Sequence, residues 1–496
     1  MGVLKFRLTP PDLADQHPEL LRAYVTGLDR TPERVAVELR PGQLICQREN
    51  PESCRLHVPW LVEGVGMPYV STATLIERPQ PYELAVELAR GKLNDVRNQA
   101  ADWAILGLRL PAEVENQLRQ SRRAFARAAT STDDPLSASA HARESLAAAF
   151  LAGRELVTAY TEQVLKKRLD HSPRLPTLLG CGLNADPAKT TWGAPLSGVI
   201  NAARLQCSWT DLAPTEGKFR WDRTDAQIDW CRRHSLMPMA GPVLDFRPAA
   251  LPDWLWLWQG DLEEITAMAL DLIRQVVTRY KGKVGFWHLV GRPASSEVLG
   301  LGEDDQIRLA AKVLQAARQI DPTTPMIVDF DRPWAEWMGT GSFQLGPLHL
   351  ADSLARADLG LSGIGLEIAP GFGPPGSHLR DLFEFSRLLD LYSLLNLPLH
   401  IGLAIPSAVG PDPKAAPGTS IEAAQWPEPP SESSQQEMAS RWVALAVAKP
   451  FVRSVTWLHA SDAEDHLYPH AGLIRPDGAP KPVLDWLRDF HDSHLL

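Results

Sequence analysis

No run of Lys and Arg long enough to mark a nucleic-acid surface occurs in these 496 residues, and the net charge of −10 points away from one. No stretch of about 18 apolar residues occurs either, so no membrane span is expected. The opening Met1-Gly2-Val3-Leu4-Lys5-Phe6 lacks a basic segment followed by an apolar core, the pattern of a secretory signal. It also lacks the Ser or Thr that myristoylation wants at position 6. The expectation is a cytoplasmic chain. Cysteine is scarce: Cys46, Cys54, Cys181, Cys207 and Cys231 are scattered and form no CxxC pair, which argues against a zinc site. A Cys46–Cys54 disulfide fits the spacing, but five free, mostly buried thiols fit better. No glycine-rich turn for phosphate and no G-x-S-x-G nucleophile motif are found, so neither a nucleotide cofactor nor a serine hydrolase is indicated.

What is present is a globular composition, 44% hydrophobic and 22% charged, in a chain too long for one ordinary core. Two or three domains are expected. The 42 prolines outnumber the 34 glycines, and the 16 tryptophans concentrate in the later part of the chain.

Residues 1–81 read as a β-sandwich or jelly roll. Val3–Leu8, Ala23–Leu28, Val35–Leu39, Gln43–Cys46, Leu56–Val62 and Tyr69–Ile76 are short β-prone runs separated by turn signals. A carbohydrate-binding role for such a domain rests on analogy, and a structural or protein-partner role fits equally well. Residues 82–172 change period: a helix opening at Tyr82 runs past Trp103, and Ala112–Ala129 and Ala140–Leu169 follow, with a break at Ser131–Pro135. This is a helical hairpin or small bundle. The Glu83, Glu87 and Arg90 stripe on it reads as a solvated face.

Residues 173–496 alternate short apolar strands with helices. Strands are expected near Leu178–Leu183, Ala203–Cys207, Met237–Val243, Phe286–Val290, Met326–Phe330, Gly363–Ile368, Leu399–Leu403 and Val455–His459. Eight strands with helices between them predict a (β/α)₈ TIM barrel of the α/β class. The stretch from Pro406 to Gln436 is rich in Pro, Ser and Glu and hangs over the mouth after the seventh strand. A lid, a partner-binding loop and disorder are all open, with disorder the default.

Several words in this region resemble those of glycoside hydrolase family 10, the endo-1,4-beta-xylanases. Trp209 through Glu216-Gly217-Lys218-Phe219-Arg220-Trp221 is similar to the stretch after the family's second strand, and Leu251-Pro252-Asp253-Trp254 to the one after its third. Tyr280-Lys281-Gly282-Lys283-Val284-Gly285-Phe286-Trp287-His288-Leu289-Val290 resembles the "YKGKV..WDVV" that leads into the family's acid/base. Gly363-Ile364-Gly365-Leu366 and Lys481-Pro482 resemble words on strand 6 and near the end. The resemblance covers roughly residues 178–490, in the family's order.

The resemblance implies a retaining glycosidase, whose two carboxyl groups stand about 5–5.5 Å apart. The acid/base place is taken by Arg292 and the nucleophile place by Leu403, so both glutamates are missing. An arginine stays charged near neutral pH, and leucine has no lone pair. Around them, Ser208, Pro242, Arg247, Glu367 and Leu458 stand where the family has its lysine, two histidines, glutamine and sugar-stacking tryptophan.

Strand-end candidates for replacement chemistry are Asp245, Asp329, Asp331, Glu367, His459 and Asp462, with Arg247 and Arg292. A pair such as Asp245 with Glu367, or Asp329 with Glu367, has the makings of acid/base work. The competing reading, that arginines neutralise these carboxylates in a polar cluster, is favoured because structural ion pairs outnumber catalytic ones. A metal has no spacing pattern to support it. Substrate contacts, if any, are assigned to Trp209, Arg247, Trp254, Arg292, Trp457 and His459, while Trp254, Trp256 and Trp258 fit sugar stacking and helix packing equally. Three functions remain: a pseudo-glycosidase that binds carbohydrate or acts as a scaffold, a hydrolase using relocated carboxylates, and a structural partner built on residues 1–170.

Overall fold

The computed structural model describes residues 2–339, 341 and 343–496. Eight parallel strands close into a barrel: Leu178–Gly182, Ala202–Leu205, Met237–Ala240, Phe286–Gly291, Met326–Asp331, Leu361–Ile368, Leu399–Leu403 and Val452–Trp457. Neighbours in sequence are neighbours in space, and the eighth strand pairs back onto the first through Trp457 and Cys181. Closure removes both edges of the sheet, which leaves no row of unpaired backbone groups. Helices pack outside. Leu262–Tyr280, for instance, buries Ile265, Ala269, Leu272, Ile273, Val276 and Val277, the three- and four-residue spacing of one helix face. Asp261, Asp381 and Ser431 accept from backbone N–H groups at the starts of their helices. A two-residue strand, Leu244–Asp245, pairs with Val290 and Gly291 beyond the third strand's end and carries Asp245 to the mouth.

Two four-stranded sheets form the amino-terminal part and fit a sandwich-like domain. One runs Ala36–Arg40, Gln43–Arg48, Gly2–Arg7, Tyr82–Glu83; the other runs Pro32–Glu33, Tyr24–Thr26, Arg55–Pro59, Tyr69–Ser71. Tyr82 and Glu83 correct the expected helix start: they pair in parallel with Phe6 and Arg7, and the helix begins at Leu84. A two-residue strand has no period of its own, so its partner decides it. All five cysteines are free and buried, Cys46 and Cys54 included.

Three helices, Leu84–Ile105, Ala112–Thr130 and Pro135–His171, join these parts. Their residues divide between two cores. Leu84, Leu88, Ala142, Leu146 and Phe150 pack with the sheets. Trp103, Val114, Leu156, Val157 and Leu165 pack with the barrel. Gly91 lies so close to the second sheet that a Cβ there would sit 2.1 Å from the carbonyl oxygen of Ser71.

The 406–436 stretch corrects the default of disorder. It is mostly irregular but pinned: Met67 N–H donates to Gln425 O (2.7 Å), Leu379 N–H to Gln425 Oε1 (2.7 Å), and Ile421 bridges to Phe372. Its last residues already belong to the helix Glu432–Ala448. Composition favoured disorder, but the long-range partners that hold the loop leave no local signal.

Candidate active site at the barrel mouth

The carboxyl ends of the strands surround a cavity of about 560 Å³. Asp245, Arg247, Arg292, Glu367 and His459 line it, together with Arg204, Ser208, Pro242, Leu458 and the loop segments 413–417 and 465–467. Arg292 follows the fourth strand directly, with φ of 56°. Its N–H donates to the Asp329 carbonyl at 2.7 Å, which turns the side chain inward. That guanidinium then joins two strands' carboxylates: it donates to Asp245 Oδ2 at 2.6 Å and to Glu367 Oε2. Burial alone would lower the Arg292 guanidinium, but Asp245 and Glu367 hold it well above its usual range. Arg247 also reaches Asp245, at 3.3 Å from its side chain and 3.1 Å from its N–H. Tyr468 donates to Glu367 Oε1 at 2.5 Å.

Asp329 stands lower, inside the barrel, in space that exists because residue 365 is glycine: a Cβ there would meet its Oδ1 at 1.8 Å. Arg204 donates to it at 2.6 Å and His288 Nδ1 lies at 2.9 Å. Burial would raise the Asp329 carboxyl, yet Arg204 and His288 hold it well below the usual carboxylate range. Asp331 pairs with Arg332 at 3.1 Å. Asp462 accepts from Lys481 at 2.5 Å and from Gly472 N–H at 2.7 Å. Asp412, Asp462 and His466 have metal-like composition, with ligand atoms all within 4.8 Å of one another. The Lys481 ammonium and the His466–Asp412 contact at 3.0 Å already use those atoms.

The structure thus gathers Asp245, Arg247, Arg292, Glu367 and His459 and separates the rest. Asp329, Trp209, Trp254 and Trp457 are not among the residues lining the cavity. Trp209 is fully buried and meets Trp254 edge to face at 6.0 Å. Trp254 donates to Ala213 O (2.9 Å), and Trp457 donates to Ala471 O (2.7 Å) from the core. Residues 253–258 form a 3-10 helix, so Trp254 and Trp258 pack partly against the core while Trp256 stays 37% exposed. Leu403 is completely buried. His459 accepts from Tyr468 N–H at 3.2 Å; burial, then His466 and Arg247, keep its ring well below the ordinary histidine range.

Two residues of this cluster were missed from sequence. Arg204, a charge inside an apolar strand run, carried a usable signal. Tyr468 lies in irregular chain 101 residues from Glu367 and carried none.

Residues 202–325 match the model of glycosyl hydrolase family 10. An endo-1,4-beta-xylanase of Agaricus bisporus is 23% identical over 210 residues, 40% of this chain and 59% of its own length. Endo-1,4-beta-xylanase C of Paenibacillus barcinonensis is 24% identical over 208 residues, 36% of this chain and 18% of its own. The chain therefore spans under two-thirds of either relative. Native xylanase 10B from Thermotoga maritima superposes with a TM-score of 0.50 at 15% identity, over 65% of this chain and 97% of that one. With the closed barrel of eight strands, these likenesses show that the carboxyl-terminal part of this chain is a (β/α)₈ barrel similar to that of glycosyl hydrolase family 10.

Proposed function

We propose that this protein is a pseudo-glycosidase, a family 10-like barrel that keeps its mouth as a carbohydrate-binding or scaffolding surface and has given up hydrolysis. The observation that carries this reading is the Arg292 guanidinium shared by Asp245 and Glu367. A retaining site needs one protonated carboxyl group and one free carboxylate across the glycosidic bond. Here a fixed cation stands at the acid's place, and the carboxylates beside it have their oxygens committed to Arg292, Arg247 and Tyr468. The alternative of relocated carboxylates is the weaker one, because Asp245, Asp329 and Glu367 are each tied to an arginine.

The open volume and the hydrogen-bonding groups along Arg247, Ser208 and Lys414 favour a polar, uncharged ligand such as an oligosaccharide. The test pairs two assays on the full chain. Aryl-xylobioside and aryl-cellobioside should release no phenol, and calorimetry with xylo- and cello-oligosaccharides should detect binding that weakens in Arg247→Ala. Phenol release that disappears in Glu367→Gln would restore the hydrolase reading; absence of binding by every oligosaccharide would remove the sugar ligand.

A further inference from the structure

A second cavity, of about 100 Å³, shares no lining residue with the barrel mouth. It lies between the second amino-terminal sheet and the barrel flank, and its floor is apolar, with Pro333, Leu388 and Leu391. Three arginines, Arg30, Arg55 and Arg387, line it. Two of them are spoken for. Arg55 donates to Asp95 at 2.6 Å and to Ser71 Oγ at 3.0 Å; Arg387 donates to the same Asp95 at 2.6 Å and to Glu384 at 3.2 Å. Two carboxylates thus serve two arginines, and the Arg30 side chain makes no hydrogen bond or ion pair among the described residues.

Two further donors lack partners here. Trp334, also in the wall, has its Nε1–H buried with no acceptor among the described residues. The helix Pro347–Arg356 starts at the same wall, and its first turn has no side-chain cap because the N-cap is Gly346. An uncapped helix start carries partial positive charge and free N–H groups. Burial, then the charges of Arg387 and Arg55, pull the Arg30 guanidinium down from its ordinary range, as expected where positive charge is in excess.

We infer that this inter-domain cavity is a binding site for a small monocarboxylate with a compact apolar body, its carboxylate taken by Arg30 and its body seated against Pro333, Leu388 and Leu391. A guanidinium fork matches a carboxylate's two oxygens, and the apolar floor favours an organic acid over a bare inorganic anion. A cavity of roughly 150 Å³ accommodates benzene, so this one, at about 100 Å³, takes a body smaller than a benzene ring. The inference is independent of the reading of the barrel mouth.

Calorimetry on the full chain tests it with sodium butyrate as probe and butyramide and inorganic phosphate as controls. Butyrate should bind with a millimolar or tighter Kd, and Arg30→Ala should weaken it about tenfold or more, the worth of one charged hydrogen bond. Arg30→Lys should retain part of the affinity. Arg30 sits in an exposed turn, so the variant should keep the parent's melting temperature. Absence of butyrate binding at about 10 mM, equal affinity in Arg30→Ala, or equal affinity for butyramide overturns the site. Tighter binding of phosphate than of butyrate overturns the carboxylate assignment.

Discussion

Arg292 concentrates the electrostatics of the barrel mouth on one side chain. Its charge answers two buried carboxylates from two different strands, so removing it leaves Asp245 and Glu367 without a counterion. Arg292→Gln is expected to lose about 3–5 kcal/mol of stability, read as a lower urea midpoint. Buried histidines act in the opposite sense, as groups the fold keeps neutral. Burial lowers His378 and His400 to about 3 each, with Arg380 and His288 respectively adding to it. An unfolded histidine titrates near about 6.5. Between those values the unfolded chain takes up protons that the folded chain refuses, so stability is full above about pH 6.5 and falls as pH drops, by about 1.4 kcal/mol per pH unit per histidine. Asp329, with its depressed carboxyl, adds to the loss only below about pH 4, where an unfolded aspartate begins to protonate. Denaturant titrations from pH 7 to 4 should show this decline, and His400→Gln should flatten it.

The loop after the seventh strand shows how an element without a period is held. Gln425 is the rivet: its backbone accepts from Met67 N–H, its side-chain oxygen accepts from Leu379 N–H, and its side-chain nitrogen donates to Glu422. Truncating it leaves a buried N–H on Leu379 unsatisfied, at about 1–3 kcal/mol. Limited proteolysis of Gln425→Ala should cut within residues 406–431 faster than the parent is cut, while the barrel fragment survives. The eight barrel strands, by contrast, were legible within a few residues, because each is a short apolar run between helices and turns. The seventh was read at Leu399–Leu403, where it lies. The inserted strand at Leu244–Asp245 was not legible, because two residues acquire strand geometry only by pairing with Val290 and Gly291.

At the scale of the molecule, the helices of residues 84–171 belong to two cores at once, and the interface they cross is charged as well as apolar. Lys92 donates to Asp381 at 2.6 Å across it, and Arg380 reaches Tyr24 at 3.3 Å. We expect the sheets, helices and barrel to unfold as one unit. A chain beginning at residue 173 would expose the surface now covered by Trp103, Val114, Leu156 and Leu165. It should express as aggregate or melt well below the intact protein in scanning calorimetry, whereas the intact chain should give one transition.

By itself the sequence determined the barrel, the amino-terminal sheets and the positions where Arg292 and Leu403 stand, because strand runs, helical spacing and local words depend on neighbours along the chain. Only the tertiary structure decided what those positions do. It put Arg292 between Asp245 and Glu367 and buried Leu403, Trp209 and Trp457. It also brought Tyr468 onto Glu367 and gathered Arg30, Arg55 and Arg387 around a second cavity. Ion pairs form between residues up to 125 positions apart in the barrel alone, and their energies depend on burial and distance, quantities set when the chain closes on itself.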